Sequence, residues 1–154
     1  MSHVALIKIE INSLNSLRAG CELLGTVELK IGQKTYKWYG THMGDYPLPE
    51  GFTKADLGRC DHAIVVKGAN AETYEIGVVA RRDGKPGFTL MWDFFCGGYG
   101  LEDAVGPDCV ELKKAYGVAV AADKARQQGF KVEITKSRDQ KRYRVRARRK
   151  KLRN

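Results

Sequence analysis

The sequence has no complete catalytic motif and few of the residue types that build metal or disulfide sites. It contains four cysteines, three histidines and four prolines in 154 residues. No two cysteines form a C-x-x-C pair, so the sequence indicates neither a common zinc motif nor a disulfide framework. Free cysteine packs as a small hydrophobic residue. We therefore expect four buried thiols: Cys21, Cys60, Cys96 and Cys109.

Long apolar runs are also absent. A membrane-spanning helix needs about 20 consecutive apolar residues, and no segment approaches that length. Residues 1–10 have no basic stretch followed by a long apolar one, which argues against a secretory signal. The hydrophobic content of 43% and charged content of 29% are typical of a globular chain. We expect a cytoplasmic protein without a membrane partner: one domain over residues 1–149 and a basic extension over residues 150–154.

The apolar pattern predicts strands and helices in mixed order. Apolar residues three and four apart predict a helix over residues 14–24, and an alanine-rich stretch predicts a second helix from Pro107 to Gln128. Residues 40–61 are predicted to form a long loop. Alternating or β-rich stretches predict strands over residues 4–11, 27–31, 34–39, 63–67, 74–80, 88–94, 130–135 and 141–149. This order indicates an α+β fold, a mainly antiparallel sheet of about seven or eight strands with two helices packed on one face.

Several short motifs occur together along most of the chain. They are Met1-Ser2-His3, Gly58-Arg59-Cys60-Asp61-His62-Ala63-Ile64, Tyr74-Glu75-Ile76-Gly77-Val78-Val79, Arg82-Asp83-Gly84, Trp92-Asp93-Phe94-Phe95, Gly97-Gly98-Tyr99-Gly100-Leu101 and Gln127-Gln128-Gly129-Phe130. In combination they resemble the small proteins related to hypothetical chloroplast reading frame thirty-five, a family of cyanobacteria, plastids and other bacteria without an established enzymatic activity. Because such proteins are often encoded near AAA-type ATPases, the resemblance implies an adaptor or accessory subunit for such an ATPase. It extends to about Val145 and does not account for the basic carboxyl end.

Positive charge is concentrated at that carboxyl end. Residues 136–154 contain 11 of the 27 lysines and arginines but one of the 18 acidic residues, a net charge of +10. The remainder carries 16 basic and 17 acidic residues and is nearly neutral. Clustered basic side chains release the counterions that condense on phosphates. This distribution predicts a polyanionic partner.

The last predicted strand places its arginines on one face. Tyr143, Val145 and Ala147 alternate with Arg142, Arg144, Arg146 and Arg148. Same-face neighbours in a strand lie about 6.8 Å apart, close to the roughly 7 Å between phosphates of an extended single strand. Few aromatic residues interleave the arginines, which favours phosphate contact over base stacking. We predict a non-enzymatic protein that contacts RNA or DNA through Arg142, Arg144, Arg146, Arg148, Arg149, Lys150, Lys151 and Arg153.

Two other interpretations of this strand stay open. The arginines could keep an edge strand from aggregating and be followed by a solvated tail. They could also bind an acidic protein or an anionic lipid surface.

The remaining candidate sites are weaker. Cys60, Asp61 and His62 have no recognised zinc-ligand spacing, and the residues that could join them are His42, Asp45, Asp93 and Cys96. We therefore predict no metal and no other cofactor.

Enzyme function is the third hypothesis, with a pocket near His62 and Asp93. Neither these residues nor Glu75 has an identified acid–base partner, so we assign no catalytic residue. The Gly97–Gly100 stretch lacks the G-K-[ST] of a phosphate-binding loop, and a sharp turn is the better interpretation.

Overall fold

A computed structural model describes residues 2–44, 46–139 and 142–150 of the chain. Its strands are β1 (Val4–Ile11), β2 (Val27–Ile31), β3 (His62–Val66), β4 (Ile76–Ala80), β5 (Phe88–Asp93), β6 (Phe130–Lys136) and β7 (Tyr143–Arg149). Its helices are α1 (Leu14–Leu24), α2 (Leu101–Val105) and α3 (Val110–Gln127). Strands β1 to β5 form one antiparallel sheet in the order β1-β5-β4-β3-β2, and β6 and β7 form a separate antiparallel hairpin.

The predicted α+β class and antiparallel sheet are confirmed, whereas the element counts are wrong. The main sheet has five strands because the terminal hairpin stands apart from it, and the described residues contain three helices instead of two. The long helix begins at Val110 and not at Pro107. Asp108 and Cys109 have φ angles of 54° and 58°, a left-handed conformation that a right-handed helix excludes.

The strand predicted over residues 34–39 does not form. Tyr36 instead crosses one face of the main sheet, where its ring lies against Gly77 of β4 and would collide with any side chain there. The Tyr36 N–H donates to the Gly58 carbonyl at 2.9 Å, and the Cys60 N–H donates to the Lys34 carbonyl at 2.9 Å. These bonds satisfy backbone groups of the segment, which lies over the sheet as a covering layer. The strand that pairs with β2 is β3.

Both faces of the main sheet are covered, which gives the molecule two apolar layers. The helices cover one face, where Leu17 of α1 and Leu112 of α3 join Ile64, Ile76 and Leu90 of the sheet in one cluster. The loop between β2 and β3 covers the other face; its contributors include Tyr36, Phe52 and Leu57, which pack with Val79 and Met91. The central position predicted for the strand around Leu90 agrees with the place of β5 between β1 and β4.

The hairpin of β6 and β7 packs on the outer side of α3. Its β6 strand alternates half-buried and exposed residues, and the half-buried ones are Phe130, Val132 and Ile134. Ile134 faces Ala119 and Ala122 of α3. One face of the hairpin therefore adds to the helix layer, and the other face is left to solvent.

Candidate nucleic-acid interface

The outer face of the hairpin carries three arginines from β7. Arg144, Arg146 and Arg148 are all exposed and alternate along the strand. Their cross-strand partners on β6 are Thr135, Glu133 and Lys131, respectively. A strand separates same-face residues by about 6.8 Å, so the arginines form a row about 14 Å long that Lys131 widens at one end.

These guanidinium groups are not neutralised by the part of the chain that the structure describes. None of the salt bridges there involves Arg144, Arg146 or Arg148. Glu133 lies directly opposite Arg146 in the register, yet forms no salt bridge with a described residue. The arginines are therefore available to an anion from solution.

The inner face of the hairpin holds its two aromatic side chains, Phe130 and Tyr143. Burial, and secondarily the charge of Glu111, raises the pKa of the Tyr143 phenol. The Lys136 ammonium lies 5.7 Å from the centre of the Tyr143 ring. No aromatic residue stands on the outer face of either described strand. This arrangement offers charge to a phosphate but no ring on which a base could stack.

The other residues predicted for this interface lie around the row. Arg142 and Lys150 directly precede and follow β7 and are exposed. Arg149 ends β7 opposite Phe130, so it belongs to the alternate face of the strand although it is exposed. Lys151 and Arg153 lie outside the described residues.

Sequence reasoning missed Lys131, which pairs with Arg148 across the hairpin and belongs to the same basic face. Lys131 alternates with half-buried residues along β6 and is exposed. Only the register of the hairpin places it beside the arginines.

Asp93 is fully buried, and it is held by three backbone amides. The N–H groups of His3 and Phe95 donate to Oδ1 at 3.0 and 3.1 Å, and the Tyr39 N–H donates to Oδ2 at 3.1 Å. A carboxylate that accepts several backbone N–H groups is well stabilised without a cationic partner. Asp93 thus ties the amino terminus, the covering loop and the end of β5 together.

His62 and Asp93 are not brought together. His62 lies opposite Val78 of β4, and Val78 lies opposite Leu90 of β5. Asp93 is three residues further along β5, so strand geometry separates the two Cα atoms by about 14 Å. His62 Nδ1 instead accepts the Gly32 N–H at 2.9 Å. The pocket of the enzyme hypothesis is therefore not assembled around this pair.

The ligand-type side chains of the described residues are also dispersed. No group of three histidine, cysteine, aspartate or glutamate side chains within residues 2–44, 46–139 and 142–150 could hold a metal ion. Asp45, one member of the set considered above, lies outside those ranges.

Three of the four cysteines are buried free thiols, as expected. Burial raises the pKa of Cys21 and Cys109 to about 12 and that of Cys60 to about 11, so these thiols stay protonated at neutral pH. Cys96 is exposed, and the prediction that it is buried is wrong. Cys96 lies in the turn after β5, where it begins a left-handed run with a φ of 51°.

The glycine stretch after β5 is that sharp turn. Gly97 and Gly98 have φ angles of 62° and 64°, a conformation that suits glycine. The Tyr74 N–H donates to the Gly98 carbonyl at 2.9 Å, and Thr73 Oγ1 donates to the Tyr99 carbonyl at 3.0 Å. These bonds anchor the turn to the segment before β4.

Comparisons with known proteins give no relative for this chain: no protein-family model, curated protein or solved structure matches it. The resemblance to the proteins related to chloroplast reading frame thirty-five stays a prediction, as does the ATPase adaptor role that it implies. No helix of the described residues is long and apolar enough to cross a membrane.

Proposed function

We propose that this protein is a non-enzymatic binding protein that contacts RNA or DNA through the outer face of its terminal hairpin. The observation that carries the proposal is the row formed by Arg144, Arg146 and Arg148, which is exposed and makes no salt bridge with the described residues. Arginines that contact the phosphates of a polyanion release the counterions condensed on it, which is a main source of affinity for nucleic acid.

The geometry favours contact with phosphates over recognition of sequence. The side-chain repeat of about 6.8 Å in a strand allows one guanidinium for each phosphate of an extended single strand. The outer face has no aromatic side chain, and Glu133 interrupts the basic surface in its middle. Base-specific binding would require groups that reach base edges, whereas backbone contacts carry no sequence information.

The test is a titration of a fluorescein-labelled oligonucleotide of about 20 nucleotides, followed by anisotropy over a range of salt concentrations. For single strands, log K falls with log salt with a slope of about −0.7 per phosphate neutralised. The triple substitution Arg144→Gln, Arg146→Gln and Arg148→Gln should therefore reduce the slope by about 2 and weaken binding more than tenfold at low salt.

A matched control removes the same charge from another surface. Lys8, Arg18 and Lys124 are exposed and form no salt bridge with described residues. Their joint replacement by glutamine should preserve most of the affinity. Equal losses in the two triple variants would show that net charge and not the row is responsible. Absence of binding by the unmodified protein at about 50 mM salt would exclude the proposal.

A further inference from the structure

Strand β7 has a free edge. Among the described strands it pairs only with β6. The backbone groups that point away from β6 have no partner strand in the described part of the chain. An unpaired row of N–H and C=O groups is a template for another strand.

A groove of about 540 Å³ runs between this strand and α3. On the helix side it is lined by Gly117, Val118 and Ala121, which lie on one side of α3 because they are three and four residues apart, and by Lys114. On the hairpin side it is lined by Tyr143, Val145 and Arg142, and 39% of the Val145 surface is exposed. The groove therefore offers apolar surface directly beside the unpaired backbone edge.

Gly117 leaves open space on α3 beside this groove. Glycine in the middle of a helix is less favourable than alanine by about 1 kcal/mol. A Cβ at Gly117 would meet nothing within 4 Å. The packing of the described chain thus does not require a glycine here, and the position leaves room for a neighbouring chain to approach α3 closely.

The charges beside the groove define the chemistry of the incoming segment. A third strand beside β7 would place alternate side chains on the outer face, next to Arg144 and Arg146. Acidic side chains are favourable there, because opposite charges on neighbouring strands attract and like charges repel. The intervening side chains would point to Gly117, Val118 and Ala121 and should be apolar.

We propose that β7 binds an extended peptide segment of another protein in which apolar and acidic residues alternate. The segment adds as a third strand and places its apolar side chains in the groove above Gly117. A second copy of the chain does not suit the site, because antiparallel pairing of two β7 strands would bring their arginines together. This proposal rests on the edge, the groove and the charges of Arg144 and Arg146, and it does not require nucleic-acid binding.

The probe is a fluorescein-labelled peptide of about nine residues, the length of a long strand, in which valine alternates with glutamate. Two control peptides have the same composition in separate blocks, or a central proline that removes a backbone N–H. The alternating peptide should bind, and the affinity of both controls should be lower by about tenfold or more. Equal binding of the block peptide would show that charge alone accounts for the interaction, which would overturn the proposal.

The matched protein variants act on the groove alone. Gly117→Leu fills it and should weaken the alternating peptide about tenfold, while Gly117→Ala should have a smaller effect. Leucine and alanine are better helix formers than glycine, so both variants are expected to fold. Unchanged peptide binding by Gly117→Leu would contradict the site.

Two further measurements separate this proposal from its competitors. Gly117→Leu should retain the oligonucleotide affinity of the unmodified protein, because it leaves the outer face intact. A dimer in sedimentation velocity that Gly117→Leu dissociates would overturn the peptide proposal in favour of a second copy.

Discussion

The main sheet and the terminal hairpin differ in how much of their strand surface is covered by other parts of the chain. The sheet is covered on both faces, by helices on one and by the loop after β2 on the other. The hairpin is covered only where it meets α3, and every residue of β7 after Tyr143 is exposed. The two environments therefore also differ in whether a charged side chain needs hydrogen-bonding or ionic partners.

Inside the main sheet, a single carboxylate is fully engaged. Asp93 is completely buried and accepts three backbone hydrogen bonds. Buried charges without partners are strongly destabilising. On the hairpin, by contrast, Arg144, Arg146 and Arg148 remain hydrated, so they can stand together without described ion pairs. The buried charge of Asp93 therefore has a structural role, and the arginines on the outer face of the hairpin are available for binding.

The largest effect is expected at Asp93. Asp93→Ala would leave three partly buried backbone N–H groups without their acceptor, at about 1–2 kcal/mol for each group that water reaches only in part. We expect the free energy of unfolding to fall by about 3–6 kcal/mol, measured by urea denaturation. Glu50 is exposed, and Glu50→Ala should change stability by less than about 0.5 kcal/mol.

A milder variant keeps this prediction testable if Asp93→Ala does not fold. Asp93→Asn retains one oxygen acceptor but directs an N–H₂ group toward a backbone N–H. It should be destabilised less than the alanine variant and more than Glu50→Ala. Stability equal to that of Glu50→Ala would show that the three hydrogen bonds do not hold these segments together.

The two helix glycines give an intermediate effect of opposite sign. A Cβ at Gly20 of α1 would lie 3.0 Å from backbone atoms of Tyr116 in α3. Gly20→Ala should therefore destabilise the protein, because the overpacking cost of about 1–3 kcal/mol exceeds the gain in helix propensity. Gly117→Ala meets open space and should stabilise by about 0.5–1 kcal/mol. Thermal and urea unfolding of both variants measure the difference, and effects of the same sign would contradict it.

The smallest effect on stability is expected from the arginine row. Replacing Arg144, Arg146 and Arg148 by glutamine should change the free energy of unfolding by less than about 0.5 kcal/mol at moderate salt. At low salt the variant should be slightly more stable, because mutual repulsion is then less screened. A loss of more than about 1 kcal/mol would mean that these arginines stabilise the fold and would weaken their assignment to binding.

Helix α1 shows which features followed from local sequence. The spacing of its apolar residues predicted a helix over residues 14–24, and α1 spans Leu14–Leu24. It begins after Ser13, whose side chain accepts the Ser16 N–H at 3.1 Å, and ends before the left-handed Gly25. The alternation in β7 likewise identified which residues share a face. These features depend on neighbours in the chain, whose geometry is set by backbone periodicity.

The two largest errors concern contacts between distant segments. The segment around Tyr36 has the composition of a strand, yet it covers the sheet because Gly77 leaves room for its ring. The predicted single sheet failed for a related reason: the hairpin of β6 and β7 packs on α3 instead of extending the main sheet.

The sequence by itself determined the charge asymmetry, the α+β class and the face on which the arginines stand, because composition and side-chain period need no tertiary information. Only the tertiary structure decided that Lys131 joins the arginine row and that Asp93 binds amides from residues 90 and 54 positions away. It also decided that β7 has, among the described strands, no second partner on its edge beside Gly117. The physical reason is that register and packing depend on which distant segments meet, and residue period alone does not specify that choice.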